Sequence, residues 1–552
     1  MNRYRLIAAF FIVLAAVSCN KDDDSAGSGS RTRLVALSAS FEPSSKAAVT
    51  SAGAVTWSAE DQLGVYTTEG NIRAFALSEG AGTATATFVA DLPAGETPTA
   101  VAIYPKSGFK SCDGSSVTVN YPGSYTYASG AMNSPMAAIP SDGNLSFRHL
   151  GGLIQVVCNP VPDEATAFHL VCKDMRIVGN FSAGIAGDMT ISSTASADNT
   201  KCKITFPAAV GDSKTFNVPV PAGEYESVYA YFTDDSGNKI REWRVLEDVT
   251  VAAGDMYRRT MPALMRVMSY NWLLDFGSTD EKQPWTSVRK DNMIAALPTR
   301  YYDLMGSQES TTQQISDVQA AVPGYSVSGT THGGYGLSSI GSTSAYSVTA
   351  IWRSSAVTLL DNGTFWFSST PTVSSIRKGY FKDKNGADVT PSLLACNWAK
   401  LRYNGKVFYH FNTHMQVNGG GLTTGYDPVY TQIRLYQWSI LKPRIAEVAG
   451  DYPVVLTGDF NNTASDEGDI IQTILADTDL NLVDAYSATR QPHGSTGTLH
   501  YFRTTATTRR IDFVFVNNKF KVESYRVDAS QQSTPLWESD HLPVLVDLSF
   551  VE

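Results

Sequence analysis

The sequence predicts a multidomain chain in which an all-β sandwich precedes a layered α/β domain. From Arg31 to about Pro262, short alternating segments are punctuated by Gly, Pro, Asp and Asn, and no long stretch has helical periodicity. From Arg266-Val267-Met268-Ser269-Tyr270-Asn271 onward, strand-like runs alternate with helical ones such as Val288 to Leu297 and Gln432 to Val448, the pattern of packed α/β layers. At 552 residues the chain is also too long for a single core, so two domains of ordinary to large size are expected.

The first nineteen residues do not belong to either domain. Arg3 and Arg5 form a positive start, Leu6 to Val17 an apolar run too short for a comfortable membrane span, and Ala16-Val17-Ser18 leads into Cys19. This resembles a bacterial lipoprotein signal, which implies lipidation of Cys19 and anchoring to the outer membrane. Asn20-Lys21-Asp22-Asp23-Asp24 is similar to the acidic export signal of surface lipoproteins in one group of Gram-negative bacteria. The alternative is an ordinary cleaved signal peptide whose cysteine is incidental; both routes export the chain. Residues 20–30 then read as a tether, ending in a flexible Gly/Ser/Ala run.

Composition excludes several classes. Charged residues make up 17% and the net charge is -10, so there is no basic footprint for tight, sequence-independent nucleic-acid binding. Apart from Cys19 the cysteines are Cys112, Cys158, Cys172, Cys202 and Cys396, with no Cys-x-x-Cys pair. That is neither a disulfide scaffold nor a zinc pattern. A bridge among the first four is open and cannot be assigned.

Within residues 31–262, Thr83 to Phe88, Thr99 to Tyr104, Ser116 to Val119, Leu153 to Cys158 and Val228 to Phe232 read as strands. The run Trp57 to Tyr66, then Ala102-Ile103-Tyr104-Pro105, Pro135-Met136 and Phe147-Arg148-His149-Leu150 resembles the fimbrillin-like domains of bacterial surface lipoproteins. Trp57, Tyr66 and Tyr104 read as core aromatics, and His149 and His169 as histidines satisfied within strands. No catalytic constellation stands out in this half, which is expected to act as a spacer or to bind a surface ligand.

Residues 265–552 carry the chemistry. The run Tyr452 to Asn461 is a core strand that ends in Gly458-Asp459-Phe460-Asn461. Side chains alternate on a strand, so Asp459 and Asn461 share a face while Phe460 packs opposite. Ser269-Tyr270-Asn271, Gln308-Glu309, Phe411-Asn412-Thr413-His414, Arg510-Ile511-Asp512 and Ser539-Asp540-His541 also fall where strands begin or end. Polar groups at such ends converge on one crevice. In this order the motifs resemble the endonuclease/exonuclease/phosphatase superfamily, the fold of DNase I. Asn362 to Pro371 and Trp398-Ala399-Lys400-Leu401 are similar to its secreted bacterial members. The resemblance implies a four-layer α/β sandwich, two mixed sheets face to face with helices outside.

Residue chemistry gives the roles. Hydrolysis of a phosphate ester requires neutralised charge, an activated water and a stabilised leaving oxygen. Carboxylates without clustered cysteine select a hard cation, Mg²⁺ or Mn²⁺, so Glu309 is the first metal ligand, with Asn271 and Asp540 in support. Asp459 is the base that takes a proton from water, and Asn461 orients that water or the phosphate. His414 and His541 donate to phosphate oxygens; the resemblance implies that Asp512 fixes the tautomer of His541. Arg434 matches a family arginine and is either a structural ion pair or a substrate contact. Tyr346 and Trp352 line the pocket or pack in the core. Two departures from the family's pattern border the groove: Met415-Gln416 stands where Leu-Asp is usual, and Leu394 where an arginine is often found. They leave the substrate open.

The expected activity is metal-dependent hydrolysis of phosphate esters, on lipid head groups or glycans, with an extracellular nuclease as the alternative. A reading of another class is a surface adhesin or structural lipoprotein whose second half is a degenerate enzyme.

Overall fold

The structure is a computed structural model describing residues 32–42, 56–128, 134–159, 161–173, 175–207, 213–275, 284–329, 331–332, 346–418, 427–466, 468–489, 492–533 and 537–551. The signal, Cys19 and the tether lie outside the described residues.

The first half is all β, as its punctuated alternation predicts, and all five predicted strands form. It is not one sandwich. Thr32–Phe41 pairs antiparallel with Thr85–Pro93 and parallel with Asn144–His149, which closes seven strands into a barrel. Trp57 sits at the barrel's centre, stacked on Phe41 at 4.5 Å and edge-on to Phe88, Tyr104 and Phe147. The sandwich proper follows: a three-stranded sheet containing Gly152–Cys158 faces a five-stranded sheet containing Gly223–Thr233 and Lys239–Val251. Phe168, Phe216, Phe232 and Trp243 fill its core. Local alternation specifies strands but not which distant strands pair, and that pairing decides between barrel and sandwich. Cys112, Cys158, Cys172, Cys202 and Cys396 are all free thiols, so no disulfide forms among them.

In the second half two mixed sheets face each other. One contains Tyr346–Arg353, Leu304–Thr311, Met265–Asn271, Val544–Phe550 and Phe520–Val527 in that order; the other contains Val357–Trp366, Ala395–Tyr403, Lys406–His414, Val454–Asp459 and Asp512–Val516. Their inner faces share a core that includes Val267, Leu304, Leu401, Val455, Val514 and Val546. Helices Lys290–Thr299 and Thr312–Ala321 cover one outer face through Met293, Leu297 and Val318. Helix Pro428–Ala449 covers the other through Trp438, Leu441 and Ile445. This is the helix–sheet–sheet–helix layering that the resemblance implies. Pro443 lies inside Pro428–Ala449, and the helix runs past it to its end. The helix Thr312–Ala321 was not legible as apolar periodicity; a capping box, in which Thr311 and Gln314 exchange side-chain and backbone hydrogen bonds, starts it.

Candidate active site

Strand register assembles the site. Val454–Asp459 runs parallel to Lys406–His414 with His414 opposite Asp459, and antiparallel to Asp512–Val516 with Asp512 opposite Asp459. Residues directly opposite on neighbouring strands share a face, so His414, Asp459 and Asp512 form one row. In the facing sheet Met265–Asn271 lies parallel to Leu304–Thr311, Asn271 beside Gln308, which brings Glu309 to the same rim. Ser539-Asp540-His541 enters just ahead of Val544–Phe550, the other neighbour of Met265–Asn271; the Ser539 hydroxyl donates to the Asn271 carbonyl at 2.7 Å.

A buried polar layer holds the two rims together. Asn412 donates from Nδ2 to the carbonyls of Ser307 and Thr349 at 2.7 and 2.9 Å, while its Oδ1 accepts from Gln308 Nε2 at 2.7 Å and Thr457 Oγ1 at 2.9 Å. The sheets can approach this closely because position 306 is glycine. A Cβ there would lie 2.0 Å from Thr457 Oγ1 and 2.6 Å from Asn412 Oδ1.

Asp459 is 1% exposed. Asn271 Nδ2 donates to its Oδ2 at 2.9 Å and the Asn461 backbone N–H to its Oδ1 at 2.8 Å. His414 Nε2 and His541 Nε2 lie 3.6 and 3.8 Å from Oδ2. Burial, then the neighbouring Asp512 carboxylate, push the Asp459 carboxyl up to about 6 against the opposing pull of the two histidines and the Asn461 N–H. His541 Nδ1 lies 2.8 Å from Asp512 Oδ2, within reach for an imidazole N–H to donate to that carboxylate. Burial alone would lower this imidazole; Asp512, Asp540 and Asp459 outweigh it and hold it well above its ordinary value. Asn461 Nδ2 reaches His414 Nε2 at 2.9 Å and the Met415 carbonyl at 3.0 Å.

Glu309 faces Asp459 from across the crevice. Its Oε1 accepts from Asn271 Nδ2 at 3.2 Å and lies 3.9 Å from His414 Nε2; its Oε2 accepts from the Leu274 N–H at 3.3 Å. Ligand atoms of Glu309, His414 and Asp459 lie within 4.8 Å of one another, as do those of Asp459, Asp512 and His541. The residues fit a hard cation. Asp540 Oδ1 is buried without a hydrogen-bond partner; burial raises the Asp540 carboxyl against the pull of His541, with Glu309 adding to the rise, and a bound cation would relieve both. Glu309, Asn461 and nearby Leu273 have φ of 55°, 51° and 54°; non-glycine residues in this region concentrate at functional sites.

Two of the three sequence-predicted substrate residues stand apart from this cluster. Arg434 is fully buried, paired with Asp469 at 2.5 Å and donating to the Gln416 carbonyl at 3.0 Å; it ties helix to loop and is closed to substrate. Trp352 packs between the sheets, a core role. Tyr346 is in the strand Tyr346–Arg353, but its side chain lies outside the described residues. The two departures from the family pattern are internal as well: Met415 and Leu394 are buried in the core under the long helix, and Gln416 Oε1 accepts from the Ser392 N–H at 2.8 Å.

Two features escape sequence reasoning. Arg289 lies beneath the site, donating to the carbonyls of Trp272 at 2.6 Å and Glu538 at 3.3 Å, with no motif around it to mark it. Tyr501 stands at the mouth, 40% exposed, its N–H donating to the Asp540 carbonyl at 3.2 Å. Behind it Phe502, Trp537 and Leu273 form an apolar cluster. Tyr501-Phe502 carries no periodic signal; both residues have positive φ, 49° and 56°.

Residues 280–541 match the Endonuclease/Exonuclease/phosphatase family, so the second half of the chain carries a domain of that family, and such a domain implies a phosphoester hydrolase. Among solved structures, the chain is similar to an endonuclease/exonuclease/phosphatase from Bacteroides vulgatus, at 26% identity over 52% of this chain and 100% of that one, with a TM-score of 0.43. A family protein from Bacteroides thetaiotaomicron is 25% identical over 53% and 100%, TM-score 0.42. A mannosyl-6-phosphatase from Bacteroides thetaiotaomicron is 24% identical over 52% and 100%, TM-score 0.41. No curated protein matches the chain.

Proposed function

We propose that this protein is an exported, lipid-anchored hydrolase of phosphate esters that depends on Mg²⁺ or Mn²⁺. The observation that carries the proposal is Asp459: a buried carboxylate set between two histidines, opposite Glu309, with an amide on each oxygen. Glu309 would hold the cation, supported by Asn271 and Asp540. When bound, such a cation neutralises phosphate charge and stabilises the leaving oxygen. Asp459 accepts a proton from the attacking water as the new P–O bond forms and the ester P–O bond breaks. With its carboxyl held near 6 it is ionised at neutral pH yet basic enough to assist. His541, protonated through its pairing with Asp512, donates to the non-bridging oxygens; His414 Nε2 accepts from Asn461 Nδ2, which leaves the Asn461 carbonyl oxygen to orient the water. Tyr501 stands where a substrate's organic part would enter.

Phosphodiesters on lipid head groups or glycans suit a chain anchored through lipidated Cys19 at the outer membrane, facing the cell surface, with the fimbrillin-like first half as spacer or binding module. The acidic balance of -10 disfavours a nuclease. Assay of the full chain with and without chelator on bis-p-nitrophenyl phosphate, DNA, sphingomyelin, inositol phosphates and hexose phosphates tests the reading. Turnover that needs metal and vanishes in an Asp459→Ala, His541→Ala double variant supports it. Full activity of that variant defeats the mechanism, and inactivity on every substrate favours a structural lipoprotein.

A further inference from the structure

A second polar cleft, of about 520 Å³, opens where the five-stranded sheet of the first half meets the second half. Its wall is a cross-strand ladder. Lys203 is paired with His169, His169 with Tyr231, and Tyr231 with Glu242, and Lys201 lies two residues from Lys203 on the same face. Arg300 and Arg526 come in from the opposite side.

The charges of this cleft do not balance. Lys239 is paired with Glu242 at 2.7 Å, and Arg300 with Asp528 at 2.9 Å and Glu538 at 2.7 Å. Asp528 is the one carboxylate that lines the cavity itself; Arg300 pairs with it and Arg526 shares its field, so one negative charge faces Lys201, Lys203, Arg300 and Arg526. Among the described residues no carboxylate pairs with Lys201, Lys203 or Arg526. His169 is 6% exposed, stacked on Tyr231 at 4.6 Å; its Nε2 lies 3.2 Å from the Thr233 hydroxyl and its Nδ1 has no hydrogen-bond partner. Burial, then Lys201, Lys203 and Lys239, hold this imidazole down to about 4. Like charges gathered around a cavity repel unless a counter-charge enters it.

We propose that this cleft binds a tetrahedral oxyanion, phosphate or sulfate, free or carried on a small polar molecule such as a sugar. Lys201 and Lys203 supply mobile ammonium donors at the rim, and Arg526 a planar fork deeper in. The cavity is larger than an oxyanion alone requires, and the Thr233 and Ser530 hydroxyls and the Asn238 amide on its lining suit a hydroxylated carrier. The site is separate from the catalytic crevice and does not depend on what that crevice hydrolyses.

Calorimetric titration of the full chain with sodium sulfate, sodium phosphate and glucose 6-phosphate, at constant chloride, tests the proposal. Saturable binding should appear, survive His541→Ala, and weaken about tenfold or more in Lys201→Ala/Lys203→Ala and separately in Arg526→Gln, since each removes charge-assisted hydrogen bonds. The two lysines are exposed, so their replacement leaves folding intact; circular dichroism checks the Arg526 variant. Equal affinity for phosphate and its sugar ester identifies the free ion as ligand, and tighter binding of the ester identifies a carried one. Absence of saturable binding, or binding lost in His541→Ala and retained in both cleft variants, overturns it.

Discussion

Asp459 shows how one side chain acquires chemistry from its surroundings. Its own strand supplies burial, the adjacent strand a second carboxylate, and two different loops and strand ends the histidines that partly offset both. Asp459→Asn keeps the shape and removes the proposed base, so kcat on an activated phosphodiester should fall about 10²- to 10⁴-fold. Thermal stability should hold or rise, because a carboxylate facing Asp512 has gone. His541→Ala should lose activity over the same range and leave Asp512 unpaired. A loss under about threefold in both variants would move the chemistry elsewhere.

At the scale of elements, the crevice depends on how closely the two sheets sit. Gly306 on Leu304–Thr311 faces Thr457 and Asn412 of the other sheet with no room for a methyl group. Gly306→Ala should cost about 1–3 kcal/mol in urea unfolding by forcing the sheets apart. It should also lower kcat, because Gln308 and Glu309 follow two and three residues later on the same strand. Wild-type stability and rate in this variant would show that the contact is easily relaxed.

Across the whole molecule, charged groups that are costly to bury join the two halves. Arg241 of the first half pairs with Asp303 at 2.7 Å, and Arg353 approaches the same carboxylate from the second. Arg266 forks onto Asp547 at 2.8 and 2.7 Å, and that carboxylate also accepts from the Glu242 N–H at 3.1 Å. Arg266→Met leaves Asp547 buried without its cation and should destabilise the chain by about 3–5 kcal/mol, read as a lower denaturation midpoint. Acid acts on a related pair. Burial would raise the Asp528 carboxyl, but Arg300 and Arg526 outweigh it and hold it down from 3.8 to about 2. A depressed carboxyl stabilises the fold fully above its unfolded value and ceases to do so as pH falls through its folded one. This pair should therefore lose about 2 kcal/mol between roughly pH 4 and pH 2, and Asp528→Asn should flatten the stability curve in that window.

The sequence by itself determined the class of each half, the strands that carry polar ends and the order of the motifs that meet in the crevice. All of these are local: alternation, helical periodicity and short spacings are written along the chain. Val454–Asp459 was legible as a core strand for that reason. Tertiary structure decided what depends on distant pairing. It closed a barrel where a sandwich was expected, buried Arg434 and Trp352 away from substrate, and brought Arg289 and Tyr501 to the site. It also set Lys201 and Lys203 opposite Arg526. A side chain's environment is fixed by which strands become neighbours, and residues as far apart as Asn271 and Asp459 meet only when two sheets pack face to face.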